Sequence, residues 1–161
     1  MWKRFTELGV DSDRVDLVSL LPTTSEHLDS YSNVDISVDT FPYAGTTTTC
    51  EALYCGVPVV TYQRLNPPNH AHNVGASLLS RIEGMSELIA YSEDEYVDIT
   101  VRLASDLPKL QRLRASLRPA MLASPLCDGK AFVPMLTETY QMLWKRFKEG
   151  KGPKPSNRSG K

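Results

Sequence analysis

A run of four threonines behind a glycine, Gly45 to Thr49, contains the residue types best suited to chemistry in this sequence. The run follows a strand-like segment, residues 34–39, and precedes a helix-like segment, residues 50–55. At such a turn, backbone N–H groups and hydroxyls converge, and the start of the helix adds partial positive charge. These residues therefore predict a phosphate-binding site.

The whole chain has an ordinary composition for a globular protein. It has 161 residues, a net charge of −1 and 23% charged residues, which predicts one domain with its own core and gives no sign of a nucleic-acid or membrane partner. No apolar stretch approaches the roughly 20 residues that a transmembrane helix needs, and the first residues lack the apolar core of a signal peptide. Three cysteines without metal-type spacing favour a reducing compartment. We expect a cytoplasmic or nucleocytoplasmic protein.

Short apolar strands alternate with helices in the first half of the chain. This alternation predicts a parallel sheet with helices on its faces. Thr23 and Glu26 have the spacing of a capping box at the start of a short helix. The predicted elements are a helix at 2–8 closed by Gly9, a strand at 14–21 stopped by Pro22, the helix after Thr23, a strand at 34–38, a helix at 48–55 stopped by Gly56 and Pro58, and a strand at 57–61.

The second half is predicted to be mainly helical. His72 or Asn73 begins a helix that runs to Leu79, residues 88–90 form an edge strand, and Ser92 caps the next helix with Glu95 at its third position. Two apolar stripes at helical spacing are predicted to face the core. The stripes consist of Leu107, Leu110, Leu113, Leu117 and Met121, and of Phe132, Leu136, Tyr140, Leu143 and Phe147.

The end of the chain is basic. Between Lys145 and Lys161 there are seven basic residues and one acidic residue, and the last dozen residues are rich in Gly, Pro and Ser. We therefore expect residues 150–161 to form a disordered, solvated tail.

Several separate motifs occur in order along the chain. Their order and content closely resemble the SPINDLY / O-linked N-acetylglucosamine transferase family, over nearly the whole chain to about Phe147. The motifs are DTFPYAGTTTTCEAL at 39–53, GVPVVT at 56–61, HAHNVG at 70–75, SLL at 77–79, ELIA at 87–90, EDEY at 93–96 and SPLCDG at 124–129.

This resemblance implies an α/β fold. Residues 1–149 would be a partial Rossmann-like C-terminal lobe of a GT-B glycosyltransferase, incomplete at its N-terminus, with a parallel sheet, flanking helices and a helical C-terminus. Such enzymes transfer N-acetylglucosamine or fucose from UDP-N-acetylglucosamine or GDP-fucose to Ser or Thr of proteins, with inversion and without a metal. Part of the apolar surface of the last helix, including Trp144, would then face the absent lobe and be exposed in this chain.

The resemblance also implies what lies outside this chain. The catalytic base, the N-terminal catalytic lobe and the tetratricopeptide repeats that bind protein acceptors are not in it, so no residue here is assigned to catalysis. The isolated chain is expected to be inactive. The alternative hypothesis is a non-catalytic protein-interaction module, or an inactive fragment that keeps the fold.

The resemblance assigns site residues to the nucleotide-sugar donor. Gly45, Thr46, Thr47 and Thr48 match the segment that contacts the diphosphate. Glu51 matches the acidic position that binds ribose hydroxyls, but Thr48 and Glu51 also have capping-box spacing, and the sequence alone does not choose between the two roles. A nucleotide-contacting histidine is matched by His27, nineteen positions before Thr46.

His70 and His72 are the remaining candidates. A metal site would need a third ligand, which the sequence does not offer, and the family needs no metal. We therefore expect these histidines to lie beside the donor cleft, with neither a metal nor a cofactor.

Overall fold

The computed structural model describes residues 2–66 and 69–152. Contacts divide the chain into two compact units, Met1–Tyr31 and Ser32–Lys161. Most of the predicted basic tail, residues 153–161, lies outside the described residues.

The first unit contains the two helices that its sequence predicts. Helix α1, Trp2–Glu7, is followed by Gly9 at a φ of 76°. Helix α2, Thr24–Ser30, begins with the predicted capping box, in which the Thr23 hydroxyl accepts the Glu26 N–H at 3.2 Å and the Glu26 carboxylate accepts the Thr23 N–H at 3.1 Å. Both predictions are confirmed.

The predicted strand at 14–21 is wrong. Residues Ser12–Arg14 form a 3₁₀ helix, and within the described ranges the segment that follows pairs with no strand. Leu17, Val18 and Leu20 of this segment are exposed, and Leu20 reaches 98% exposure. A strand persists only where a neighbour completes its hydrogen bonds, and the apolar pattern carries no information about that neighbour.

The second unit is built on a parallel sheet of three short strands. Strands β1 (Ser37–Val38), β2 (Val59–Tyr62) and β3 (Ile89–Ala90) lie in the order β1-β2-β3. In the register, Ser37 pairs with Val59 and Thr61 pairs with Ile89. The predicted βαβ unit and edge strand are confirmed, although β1 is shorter than predicted.

Helix α3, Thr47–Tyr54, crosses from β1 to β2 and ends where the sequence predicts. Gly56 has a φ of 79°, its N–H donates to the Leu53 carbonyl, and the Val57 N–H donates to the Ala52 carbonyl at 2.8 Å. These two bonds form a Schellman motif, which only a residue that tolerates positive φ closes without strain.

Four more α-helices follow in the described part of the chain. They are α4 (Val74–Leu79), α5 (Glu93–Ser105), α6 (Leu107–Ala123) and α7 (Gly129–Lys148). Helix α5 begins at the predicted cap, where the Ser92 hydroxyl accepts the Glu95 N–H at 3.1 Å. Asp106 caps α6 in the same way through the Lys109 N–H.

The core lies between the sheet and helices α3 to α6. Leu110, Leu117 and Met121 of the first apolar stripe are buried, so this stripe faces the core as predicted except at Leu107, which is 68% exposed. Other buried apolar residues of the core lie in or beside α3, β2 and α4. These include Leu53, Val57, Val59, Val60 and Leu79.

The second apolar stripe, on α7, is not buried. Phe132, Tyr140, Leu143 and Phe147 are exposed, which contradicts the prediction that they face the core. Trp144 is 61% exposed, and its ring stacks on the Phe147 ring with 5.7 Å between the ring centroids. Periodicity identifies an amphipathic helix, but it does not identify the surface that covers it. In the described part of the chain, no helix combines the length and apolarity needed to span a membrane.

Candidate functional site

The loop from Asp39 to Thr46 leaves the carboxyl end of β1 and leads into α3. In open α/β sheets, ligands bind outside the carboxyl ends of the strands, where such loops gather. The Ala44 N–H donates to the Ala71 carbonyl at 2.9 Å, which ties this loop to the 3₁₀ helix at His70–His72.

Asp39 is the centre of the loop's hydrogen bonding. Its side chain is buried, with Oδ1 accepting the Gly45 N–H at 2.7 Å and Oδ2 accepting the Thr61 hydroxyl at 2.8 Å. The Tyr96 hydroxyl donates to the Asp39 carbonyl at 2.7 Å. The carboxylate therefore joins the loop to β2, while Tyr96 joins it to α5.

Tyr96 is held in its donor state. Burial, followed by the nearby Asp39 carboxylate, raises the pKa of Tyr96 to about 12. A phenol is protonated at neutral pH even with its ordinary pKa of about 10, and the raised pKa keeps Tyr96 a hydrogen-bond donor further into the alkaline range.

The threonine run forms the start of α3. Thr46 is the N-cap, and its side chain makes no capping hydrogen bond to the first turn of the helix. Thr46, Thr47 and Thr48 are exposed, whereas Thr49 is buried. The first N–H groups of a helix have no partner within it and carry partial positive charge, so an exposed first turn of this kind suits an anion.

Glu51 lies one turn further along α3 and is partly buried. Because the N-cap is Thr46, the third helical position is Thr49, so Thr48 and Glu51 do not occupy the positions of a capping box, which was one of the two roles that the sequence left open. The ribose role of Glu51 stays a prediction.

The predicted histidines fall in two different places. His27 lies in the last turn of α2, in the first unit, and not at the start of that helix. Its ring contacts the Tyr31 ring edge to face, with 5.5 Å between the ring centroids. His70 is exposed. His72 has a buried Nδ1 with no hydrogen-bond partner among the described residues. It lines a cavity of about 110 Å³ with Phe41, Pro42, Tyr62, Arg64 and Glu93.

Metal and thiol chemistry find little support here. The described residues contain no group of three or more His, Cys, Asp or Glu side chains arranged to hold a metal ion. Burial, with Cys127 and Glu51 nearby, raises the pKa of the Cys50 thiol in α3. A thiol with a raised pKa is not an activated nucleophile.

Three residues of the site were missed by sequence reasoning: Asp39, Thr61 and Tyr96. Asp39 had a signal, because an acidic residue follows a strand directly at the end where ligands bind. Thr61 and Tyr96 had none, because their contacts with Asp39 span 22 and 57 residues.

Comparisons with known proteins agree with one another. The family model described as Glycosyl transferase family 41 matches residues 1–136. The probable UDP-N-acetylglucosamine–peptide N-acetylglucosaminyltransferase SPINDLY of Petunia hybrida is 52% identical over 91% of this chain and 15% of that protein. The protein of the same description from Hordeum vulgare is 51% identical over the same shares. A solved structure of a Thermobaculum terrenum O-GlcNAc transferase mutant has a TM-score of 0.79 and 36% identity, over 89% of this chain and 26% of that one.

The parallel sheet, its flanking helices and the solved relative define this chain as part of a lobe of a GT-B glycosyltransferase. The chain belongs to glycosyl transferase family 41. The resemblance found in its motifs is therefore confirmed. The chain spans about 15% of the length of the first curated relatives that it matches.

Proposed function

We propose that this chain forms the diphosphate- and ribose-binding part of the donor site of a protein O-glycosyltransferase. The observation that carries the proposal is the first turn of α3, where Thr46 to Thr48 are exposed and Gly45 is anchored by Asp39. Family membership supplies the reaction class, and the loop supplies a place for the phosphates.

The threonine turn, residues Gly45 to Thr49, would bind the diphosphate of a nucleotide sugar. Backbone N–H groups and hydroxyls aimed at one point stabilise negative charge that develops as a nucleoside diphosphate leaves. No metal is needed for this, since the donors and the start of the helix supply the positive potential. Glu51, on the same helix, would accept the two ribose hydroxyls, because a carboxylate has acceptor sites on both oxygens.

The histidines have supporting roles in this proposal. His27 would contact the nucleotide, and His72 would face the donor cleft through the cavity beside the loop. His70, at the start of the same 3₁₀ helix, would lie at the rim of the cleft.

The plant relatives are named as transferring N-acetylglucosamine from its UDP derivative to peptides. For this chain we propose UDP-N-acetylglucosamine or GDP-fucose as donor and Ser or Thr of a protein as acceptor. The acceptor hydroxyl would attack the anomeric carbon of the sugar directly, displace the nucleoside diphosphate and invert that carbon. The base and the acceptor site would come from the rest of a longer protein, and the reaction would take place in the cytoplasm or nucleus.

The test is a titration of the full chain with GDP and with UDP, followed by NMR of the backbone amides. Both nucleotides are taken to millimolar concentration, and the resonances of Thr46 to Thr49 should move with at least one of them. Thr47→Ala should weaken binding by about tenfold or more, the usual effect of losing a hydrogen bond to a charged group. Thr137→Ala, in which the altered hydroxyl lies on α7 and bonds the Val133 carbonyl, is the matched control and should bind normally.

Two results would overturn the proposal. One is that neither nucleotide moves these resonances. The other is that Thr47→Ala and Thr137→Ala bind equally well.

The exposed apolar face of α7 favours a second candidate, a protein-interaction module. The same titration separates the two, because an interaction module has no reason to bind a nucleoside diphosphate at the threonine turn. Nucleotide binding that is lost in Thr47→Ala would reject the module as the whole function.

A further inference from the structure

We infer that Asp39 is a positioning residue, which holds the threonine turn in its phosphate-binding shape without touching the nucleotide. The inference rests on the proposed function of that turn. It concerns three residues to which neither the sequence motifs nor the similarity to relatives gives a role: Asp39, Thr61 and Tyr96.

First, a hydrogen bond links Asp39 to the residue that precedes the N-cap of α3. Gly45 directly precedes the N-cap of α3, and its N–H donates to Asp39 Oδ1 at 2.7 Å. A bond this short to a carboxylate is charge-assisted and stronger than a bond between neutral groups. The direction in which the chain enters α3 is therefore set by the position of one carboxylate oxygen.

The second step is the support of the carboxylate itself. Asp39 is only 8% exposed, and a buried charge needs partners that satisfy it. Thr61 on β2 donates to Oδ2 at 2.8 Å, and the backbone N–H of Asp39 donates to the Val60 carbonyl at 2.9 Å. Tyr96 on α5 donates to the Asp39 carbonyl. The anchor is thus held by strand β2 and helix α5 as well as by the loop itself.

The third step is steric. A Cβ atom placed on Gly75, at the start of α4, would collide with Asp39 Oδ2 and would lie 2.5 Å from the Thr61 hydroxyl. On the other side, a Cβ on Gly45 would lie 3.2 Å from Oδ1. The carboxylate therefore lies against two glycines, and a side chain at Gly75 would push it away from the position in which it bonds Gly45.

The variants separate geometry from charge. Asp39→Ala removes the acceptor of the Gly45 N–H, whereas Asp39→Asn keeps an oxygen for Gly45 and turns its amide towards the Thr61 hydroxyl, which can accept. Asp98→Ala, on the exposed side of α5, is the matched control.

In the full chain, Asp39→Ala should weaken GDP or UDP binding by about tenfold or more, as expected when a charge-assisted hydrogen bond is lost. Asp39→Asn should restore affinity to within about threefold of the unaltered chain, a difference well below one hydrogen bond. Unaltered affinity in Asp39→Ala would overturn the inference. So would equal losses in the Ala and Asn variants, because charge rather than position would then be responsible.

A second measurement needs no nucleotide. The amide proton of Gly45 should resonate far downfield because it bonds a carboxylate, and it should move upfield in Asp39→Ala together with Thr46 to Thr49. If Asp39→Ala does not fold, Thr61→Val serves instead: it should shift the same amides, and Thr61→Ser should restore them. Unshifted amides overturn the inference even if nucleotide binds, whereas shifted amides in a chain that binds no nucleotide reject only the proposed function.

Discussion

Replacing Gly45 with alanine tests how tightly the threonine turn is packed. The added Cβ would lie 2.6 Å from the Thr49 hydroxyl and 2.8 Å from the Thr48 hydroxyl. These distances are about 0.8 and 0.6 Å shorter than the 3.4 Å at which ordinary contact begins. Because Thr49 is only 4% exposed, its side chain has little room to turn away.

The magnitude follows from two opposing terms. Forcing an extra methyl group into a packed site costs about 1–3 kcal/mol of stability. Alanine also lowers the conformational entropy of the unfolded chain, which stabilises the folded state by about 0.4–1 kcal/mol. Gly45 does not have a positive φ, so alanine adds no backbone strain. We expect the free energy of unfolding to fall by about 1 kcal/mol, and nucleotide affinity to fall because both hydroxyls are displaced.

Urea denaturation measures the first effect, and the NMR titration with GDP and UDP measures the second. Gly129→Ala is the control, since Gly129 is the first residue of α7 and its added Cβ meets no atom within 4 Å. That variant should keep its affinity and gain up to about 1 kcal/mol in the helix. If Gly45→Ala is as stable as the unaltered chain and binds as well, the packing argument is wrong.

Three further predictions concern the surrounding scaffold. Tyr96→Phe should lower the free energy of unfolding by about 1 kcal/mol through loss of one hydrogen bond. Because folding raises the pKa of Tyr96 to about 12, the stability that the phenol contributes is complete below the unfolded pKa of about 10 and is lost as pH rises through 12. Denaturation curves of the two chains should therefore converge in alkali. Gly56→Ala should cost about 1–2 kcal/mol in urea denaturation, because its φ is 79° and the new Cβ would lie 3.1 Å from the Arg114 carbonyl; a wild-type midpoint would contradict this. Trp144→Ala should change the free energy of unfolding by less than about 0.5 kcal/mol, whereas a loss of 3–5 kcal/mol would mean that Trp144 is buried in solution.

Local patterns predicted the parts of the fold that depend on neighbours in the sequence. The caps at Thr23 and Ser92, the stop at Gly56 and the threonine turn all lie within a few residues of the groups that they bond. Their physical cause is contained in the segment itself, so sequence reasoning found them.

The errors have the opposite origin. Residues 14–21 have the composition of a strand, and α7 has the stripe of a core helix, but each pattern becomes structure only when a second surface completes it. The hydrogen bonds of Asp39 were not predicted for the same reason, since its partners lie on β2 and α5. A sequence pattern indicates which structures a segment can form, whereas these features depend on the tertiary partners that pack against the segment.

The long span between Asp39 and Tyr96 has a consequence for the order of folding. The two residues are 57 positions apart, and Thr61 is 22 positions from the same carboxylate. Closing a loop of that length lowers the chain entropy before any stabilising contact has formed, so contacts of this kind form late. During synthesis, the threonine turn can coil into α3 as soon as it emerges, but its entry angle is not fixed until residues of α5 have been added. The loop that leads into α3 therefore takes its final shape only after α5 has been synthesised.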